Sequence, residues 1–291
     1  MPLPSVAIIG PGKIGRDLLV KLSRSQLIRV KALIGRNYGT SSEEFASSLN
    51  VPFYGAGLDE FLEDLDEISI FIDATTAEFH SVHLSKLKAY NAFVIDLTPS
   101  GIGSIYSPLA SPNLPQRGCS VSLVSCGGQA SLPMLSQLES CFHNLEYIEV
   151  VSSMASLAVG PGTRQNIDQY ILTTQDAIKK LVKVEKVKVI LNINPAIPPV
   201  AMKTTLSFVG KIKSTLPEIE QKSRNVESKV KKYCSGYSIQ VPPVFMQDGR
   251  LVMMLKVEGA GDYLPAYAGN LDIINCSCLE LCEKIAATYY S

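Results

Sequence analysis

Several features that would assign this chain to other protein classes are scarce in it. No charge of either sign prevails: 27 lysines and arginines cancel 27 aspartates and glutamates, and charged residues make up 19% of the sequence against about 25% in average domains. A balanced chain lacks the excess of Lys and Arg that binds phosphate backbones, so nucleic acid is not an expected partner. No apolar run reaches the ~18 residues of a membrane span, and MPLPSVAIIGPGKIG lacks the charged start and uninterrupted apolar core of a signal peptide. A cytoplasmic protein without membrane contact is the expectation. Seven cysteines, at 119, 126, 141, 234, 276, 278 and 282, are an odd number without the spacing of a disulfide framework. Free thiols in a reducing compartment follow. Repeats and low-complexity segments are also missing, and 46% hydrophobic content excludes a disordered chain.

What the sequence does contain is hydrophobic order. At roughly 100–200 residues per domain, 291 residues predict two domains. The first third alternates β-branched apolar runs with amphipathic stretches: SVAIIG, DLLVKLSRSQ, RVKALIG, EEFASSLN, ISIFIDA. That succession of strand and helix is the pattern of a parallel sheet wound with helices. A helix over Glu78–Tyr90 leads to strands at Phe93–Leu97 and Val121–Ser125, separated by a Pro-, Gly- and Ser-rich loop over Pro99–Gly118. Beyond Cys126, helices over Ala130–Cys141, Asn166–Leu181 and Glu218–Tyr233 and strands over 184–194 and 250–258 predict an α+β domain. Leu271–Tyr289 reads as a helix that returns to the first domain. The expected architecture is α/β: a Rossmann-type parallel-sheet cofactor domain over 1–125 with the returning helix 268–291, and an α+β catalytic domain over 126–267.

Gly10-Pro11-Gly12-Lys13-Ile14-Gly15 follows a predicted strand and opens a predicted helix, the context a dinucleotide fingerprint requires. The first glycine permits the tight turn, the second lets backbone approach a pyrophosphate, and the third allows close helix–strand packing. The helix start adds unpaired N–H groups and a positive dipole end. At the end of the second strand, where an acidic residue would bind ribose hydroxyls, stands Arg36 followed by Asn37. An arginine there pairs with a 2′-phosphate, which tilts the expectation toward NADP and leaves NAD open. Cys126, in Ser125-Cys126-Gly127-Gly128, lies between an apolar strand and a helix start. The helix dipole there favours thiolate over thiol, and the N–H groups of Gly127 and Gly128 are candidate oxyanion donors. A nucleophilic thiol beside a nicotinamide points to aldehyde oxidation through a hemithioacetal and a thioester.

Other clusters read more plainly. His80 and His83 are three apart on a predicted helix without a third ligand at convincing spacing, so no metal is expected there. Cys276, Cys278 and Cys282, like the remaining non-catalytic cysteines, read as small packing residues. Asp73 and Asp96 end strands on the side where ligands bind, and either anchor loops or line the nicotinamide pocket.

With these residues in place, the chain resembles the short acylating acetaldehyde dehydrogenases, which convert an aldehyde, coenzyme A and a nicotinamide cofactor to acyl-CoA. The likeness runs nearly end to end through VAIIGPGKIG, FIDATTAEFH, VIDLTPSGIG, SCGGQAS, VGPGTRQNID, NPAIPP and VEGAGDYLPAYAGNLDI. It implies that Cys126 is the acyl-thioester nucleophile and that Gly10, Pro11, Gly12, Lys13 and Ile14 contact the cofactor. It further implies a cofactor role for Ala158, Val159, Gly160, Pro161, Gly162, Thr163, Arg164, Gln165, Asn166 and Asn270, a homodimer formed through the second domain, and coenzyme A as co-substrate. Three positions depart from the family: Arg36-Asn37 replaces the acidic ribose ligand, Ile197 stands for a glutamate, and Thr204 stands for an aspartate implicated in catalysis. The stretch over Val241–Arg250 is also shorter, which leaves the family's partner aldolase an open question. Two alternatives stay open beside the acylating dehydrogenase: a thioester or semialdehyde oxidoreductase using another acceptor such as a carrier-protein thiol, and a non-catalytic homologue that binds cofactor.

Overall fold

A computed structural model describes residues 3–290 except 66, 161, 162 and 165. The chain divides into two units: residues 1–106, 113–123 and 278–291 form the first, and 107–112 with 124–277 the second.

In the first unit the elements run β1 (Ser5–Ile9), α1 (Lys13–Ser23), β2 (Arg29–Ile34), α2 (Ser41–Ser48), β3 (Phe53–Tyr54), α3 (Leu58–Glu63), β4 (Ile70–Asp73), α4 (Ala77–Leu87), β5 (Phe93–Asp96), β6 (Ser104–Ile105) and β7 (Ser120–Ser122). Among the described residues the strands lie in the order β3-β2-β1-β4-β5-β7-β6, and each neighbouring pair is parallel. This is the expected doubly wound sheet. β4 and β5 are buried at every residue, which is why IFID and FVID read as continuous apolar runs rather than alternating ones. Strand order reverses between β1 and β4, so the loops after these two strands border the crevice where such sheets take ligands. Part of the long loop before residue 118 is not loop at all, because β6 pairs with β7 at the sheet edge.

The second unit holds α5 (Cys126–Leu138), β8 (Phe142–Ala155), α6 (Ile167–Leu181), β9 (Lys186–Asn194), β10 (Met202–Ile212), α7 (Leu216–Lys231), β11 (Tyr237–Phe245) and β12 (Leu251–Val257). Its sheet, in the order β11-β12-β10-β8-β9, is mixed: β8 pairs with β9 in parallel and with β10 in antiparallel fashion. The amphipathic face of α6 buries Tyr170, Thr174, Ala177 and Ile178, a spacing of one helical face. The last helix, α8 (Gly269–Tyr289), contributes its residues from Cys278 onward to the first unit. There the Tyr289 ring packs 5.2 Å from Phe93 and its hydroxyl donates to Pro115 O at 2.9 Å. No helix among the described residues is long and apolar enough to cross a membrane.

Candidate active site

In the first unit, the glycines of the β1–α1 turn meet three different surroundings. Gly10 holds φ 105°, a left-handed conformation that glycine adopts without strain. A Cβ on Gly15 would lie 1.9 Å from Gly10 O, whereas one on Gly12 would meet nothing within 4 Å. The turn is tight, the helix is packed close against it, and the space over Gly12 is open. Gly10 and Gly12 line a cleft of about 250 Å³ together with Arg36, Thr75, Phe79 and His83. Pro11 belongs to the same lining, Lys13 is exposed and Ile14 half-buried. The Arg36 guanidinium sits 5.4 Å above the Phe79 ring, a cation–π geometry that steadies an exposed side chain at the cleft's rim.

Beneath the cleft, Asp73 fixes the start of α4. Its Oδ2 pairs with Nδ1 of His80 at 3.0 Å and of His83 at 2.9 Å, and its Oδ1 accepts from Thr75 N at 3.0 Å. Burial raises the Asp73 carboxyl, but hydrogen bonds from His80, His83 and Thr75 outweigh it and leave the group well below the usual carboxylate range. Burial likewise opposes protonation of His80, and the Asp73 hydrogen bond with the nearby Asp96 charge reverses the sign and raises it. Asp96 anchors its own loop, accepting from Thr98 N at 2.7 Å. Both aspartates are fully buried and each holds its own loop, Asp73 through Thr75 and His83, which line the cleft.

In the second unit, Cys126 is the first residue of α5, four residues earlier than the sequence pattern suggested for that helix. Val124, a β-branched residue, is held at φ 64° just before it, the kind of backbone strain that clusters at functional turns. Ser125 caps the helix by accepting from Gly128 N at 3.0 Å. Cys126 Sγ, partly buried, donates to Met154 Sδ at 3.7 Å and lies 3.7 Å from Tyr170 Oη. Tyr170 Oη accepts from Gly127 N at 2.9 Å. A Cβ on Gly127 would meet this hydroxyl at 2.3 Å and Ser152 Oγ at 3.0 Å, so only glycine fits. Ser152 Oγ in turn lies 3.2 Å from Thr204 Oγ1, both buried.

Two expectations are corrected here. The helix start does not make Cys126 a resting thiolate: burial pushes the thiol up to about 11, against smaller lowering by the Tyr170 hydroxyl and the Gly127 and Cys126 amides. The amides of Gly127 and Gly128 are not open oxyanion donors either, since both already donate to hydroxyl oxygens. Tyr170, Met154 and Ser152 escaped the sequence reading because they come from α6 and β8, far along the chain. The available signal was Tyr170 and Thr174 four apart on one face of an expected helix; in the structure Thr174 stands 2.6 Å from Ser125 Oγ.

The other predicted positions also fall in the second unit. Ala158 and Val159 are buried, Gly160, Arg164 and Asn166 exposed, and Thr163 intermediate; Pro161, Gly162 and Gln165 lie outside the described residues. Arg164 folds back on its own segment, donating from Nε to Val159 O at 3.1 Å and from Nη2 to Ser156 O and Oγ at 2.8 Å. Asn270 donates to Ala158 O at 3.2 Å and, among the described residues, its buried Oδ1 meets no hydrogen-bond partner. Ile197 is 91% exposed. Among the cysteines, all seven are free and Cys119 is exposed rather than packed. Cys276 is buried but not in purely apolar surroundings, since it donates to Asp272 at 3.7 Å.

Comparison with known proteins decides the family. Acetaldehyde dehydrogenases from Pectobacterium atrosepticum, Spirochaeta aurantia and Burkholderia pseudomallei are 38%, 39% and 41% identical to this chain, covering 97–98% of it and 94–96% of their own length. The chain belongs to the acetaldehyde dehydrogenase family. Residues 126–265 match the family profile described as prokaryotic acetaldehyde dehydrogenase, dimerisation, the segment that begins at Cys126. The fold extends further than the sequence likeness: a crystal structure of aspartate semialdehyde dehydrogenase with NADP from Candida albicans covers 97% of the chain at TM-score 0.64 and 10% identity.

Proposed function

We propose that this member of the acetaldehyde dehydrogenase family oxidises a short-chain aldehyde to an acyl-CoA through a thioester on Cys126. The observation that carries this reading is the Cys126 thiol at the first turn of α5, on a strained turn and in hydrogen-bond reach of Tyr170. The Cys126 thiol adds across the aldehyde carbonyl to give a hemithioacetal, the carbon then gives up hydride while its hydroxyl proton passes to solvent, and the thioester remains on the protein. The thiol of coenzyme A then displaces Cys126 and carries away the acyl group.

A nicotinamide dinucleotide, when bound, supplies the hydride acceptor. The first unit fits such a group: the open space over Gly12 admits a pyrophosphate, and the N-terminus of α1 directs N–H groups at it. Arg36 on the cleft rim would meet a 2′-phosphate, which supports NADP over NAD. We expect Arg36→Asp to reverse the ratio of NADP to NAD affinities, each changing about tenfold, near 1.4 kcal/mol; equal affinities in the unaltered protein, measured by fluorescence titration, would refute this. Asn270 offers Oδ1 as an acceptor to a ligand amide or hydroxyl in the second unit. Thr204, buried against Ser152, is no base at neutral pH, so the acceptor thiol loses its proton to water or to another group.

The test is steady-state NADH or NADPH formation from acetaldehyde or propanal with coenzyme A. Turnover that Cys126→Ser abolishes supports the reading, and none with any small aldehyde favours the non-catalytic homologue. The lack of an acidic residue at Thr204 keeps a second acceptor in view; thioester formation with coenzyme A alone removes the carrier-protein thiol. The matching dimerisation segment supports a homodimer, to be read by light scattering. The same measurement with a candidate aldolase added tests that partnership.

A further inference from the structure

We propose that Tyr170 is a catalytic residue that sets the reactivity of Cys126, its phenol donating a hydrogen bond to the sulfur when the sulfur is charged. This rests on Cys126 being the nucleophile. The hydroxyl faces three polar neighbours, the Gly127 amide, the Cys126 sulfur and the Ser125 hydroxyl. Tyr170 Oη accepts from Gly127 N at 2.9 Å, which directs its own proton to another acceptor. Cys126 Sγ stands 3.7 Å away, within the longer reach of hydrogen bonds to sulfur. Tyr170 is held there on two sides. The Gly127 amide fixes the hydroxyl, and Thr174 Oγ1, one turn on, donates to Tyr170 O at 2.6 Å while standing 2.6 Å from the helix-capping Ser125. Gly128 N, Ser125, Thr174 and the Tyr170 carbonyl thus form one relay that ties α6 to the start of α5.

The sulfur needs this donor because its other partner cannot stabilise charge. Met154 Sδ accepts from the thiol at 3.7 Å, and a thioether takes neither a proton nor a negative charge. Among the described residues, no imidazole or carboxylate is within hydrogen-bond distance of Cys126 Sγ. When the thiol ionises, its proton goes to solvent, the bond to Met154 is lost, and the Tyr170 O–H becomes the sulfur's side-chain donor. Tyr170 keeps its own proton throughout: burial and the facing Cys126 charge both push its ionisation well above the usual tyrosine range. Its part is that of the imidazolium in other thiol enzymes, with a neutral donor in place of a cation.

The test reads the thiol directly. Iodoacetamide is applied to the whole chain across pH 7–12, a range that includes the Cys126 inflection, and modification of the Cys126 peptide is followed by mass spectrometry, which separates it from the other six cysteines. Tyr170→Phe is expected to displace the pH–rate curve upward by about one unit, so that Cys126 reacts about tenfold more slowly at a given pH. Fluorotyrosine at 170, a stronger donor of nearly the same size, is expected to displace it downward. A purely structural role would move neither curve along the pH axis. Coincident curves, or faster alkylation in Tyr170→Phe, overturn the proposal. Alkylation does not require an aldehyde, so absence of dehydrogenase activity and absence of the Tyr170 effect are separate results.

Discussion

A methyl group added to Gly15 would lie 1.9 Å from the Gly10 carbonyl oxygen, while one added to Gly12 would enter open space. The two glycines therefore separate stability from binding. Gly15→Ala is expected to cost about 2–3 kcal/mol by forcing α1 off β1, measured by urea unfolding. Gly12→Ala is expected to cost about 1 kcal/mol or less, but to weaken dinucleotide binding about tenfold in a titration. A Gly12→Ala variant that binds as before would show that no phosphate passes over that residue. The tight turn at Gly10 and the close packing at Gly15 were legible in the sequence because the motif is local: strand, turn and helix start lie within a dozen positions. The surroundings of Cys126 were not, since Tyr170, Met154 and Ser152 reach it from elements 26 or more residues away. The sequence located the sulfur, and only the folded chain shows that the neighbouring amides are occupied and the thiol is desolvated.

At the scale of elements, α4 is joined to β4 through one carboxylate. Asp73 pairs with both His80 and His83, so Asp73→Asn is expected to destabilise the first unit by about 3 kcal/mol, the cost of breaking a buried pair. The pH dependence has a definite sign. His80 is raised in the folded chain, so its contribution is full below the unfolded value near 6.5 and is lost as pH rises through the higher folded value. Asp73 is lowered, so its contribution is present above the unfolded value near 3.9 and is lost as pH falls. Asp96, raised chiefly by burial, favours the acid side. His80→Asn should flatten the decline in urea midpoint above pH 6.5, and an unchanged slope would show that other groups control it. Elements followed the sequence where burial is simple. β4 and β5 are apolar runs, but β10 and β11 had no clear signature. β10 places Thr204 and Ser207 at buried positions, which blurs its alternation. β11 carries Pro242 and Pro243, which an edge strand tolerates.

For the molecule as a whole, the neutral charge noted at the outset means that anionic ligands depend on local devices: an open glycine turn, helix starts and Arg36 rather than a general basic surface. The pattern changes after Cys126, and the last helix, read from the sequence as returning to the first domain, divides at Cys278: its earlier residues belong to the second unit and its later ones to the first. In the proposed reaction one sulfur among seven becomes an acyl thioester. Cys126→Ser should lower turnover by on the order of 10³-fold or more, as loss of a nucleophile does. The most direct measurement is peptide mass spectrometry of the protein incubated with acetaldehyde and oxidised dinucleotide, without coenzyme A, and quenched in acid. One acetyl group is expected on the Cys126 peptide, removed when coenzyme A is added before the quench. Turnover without that adduct, or an acetyl group on another cysteine, would contradict the proposed reaction.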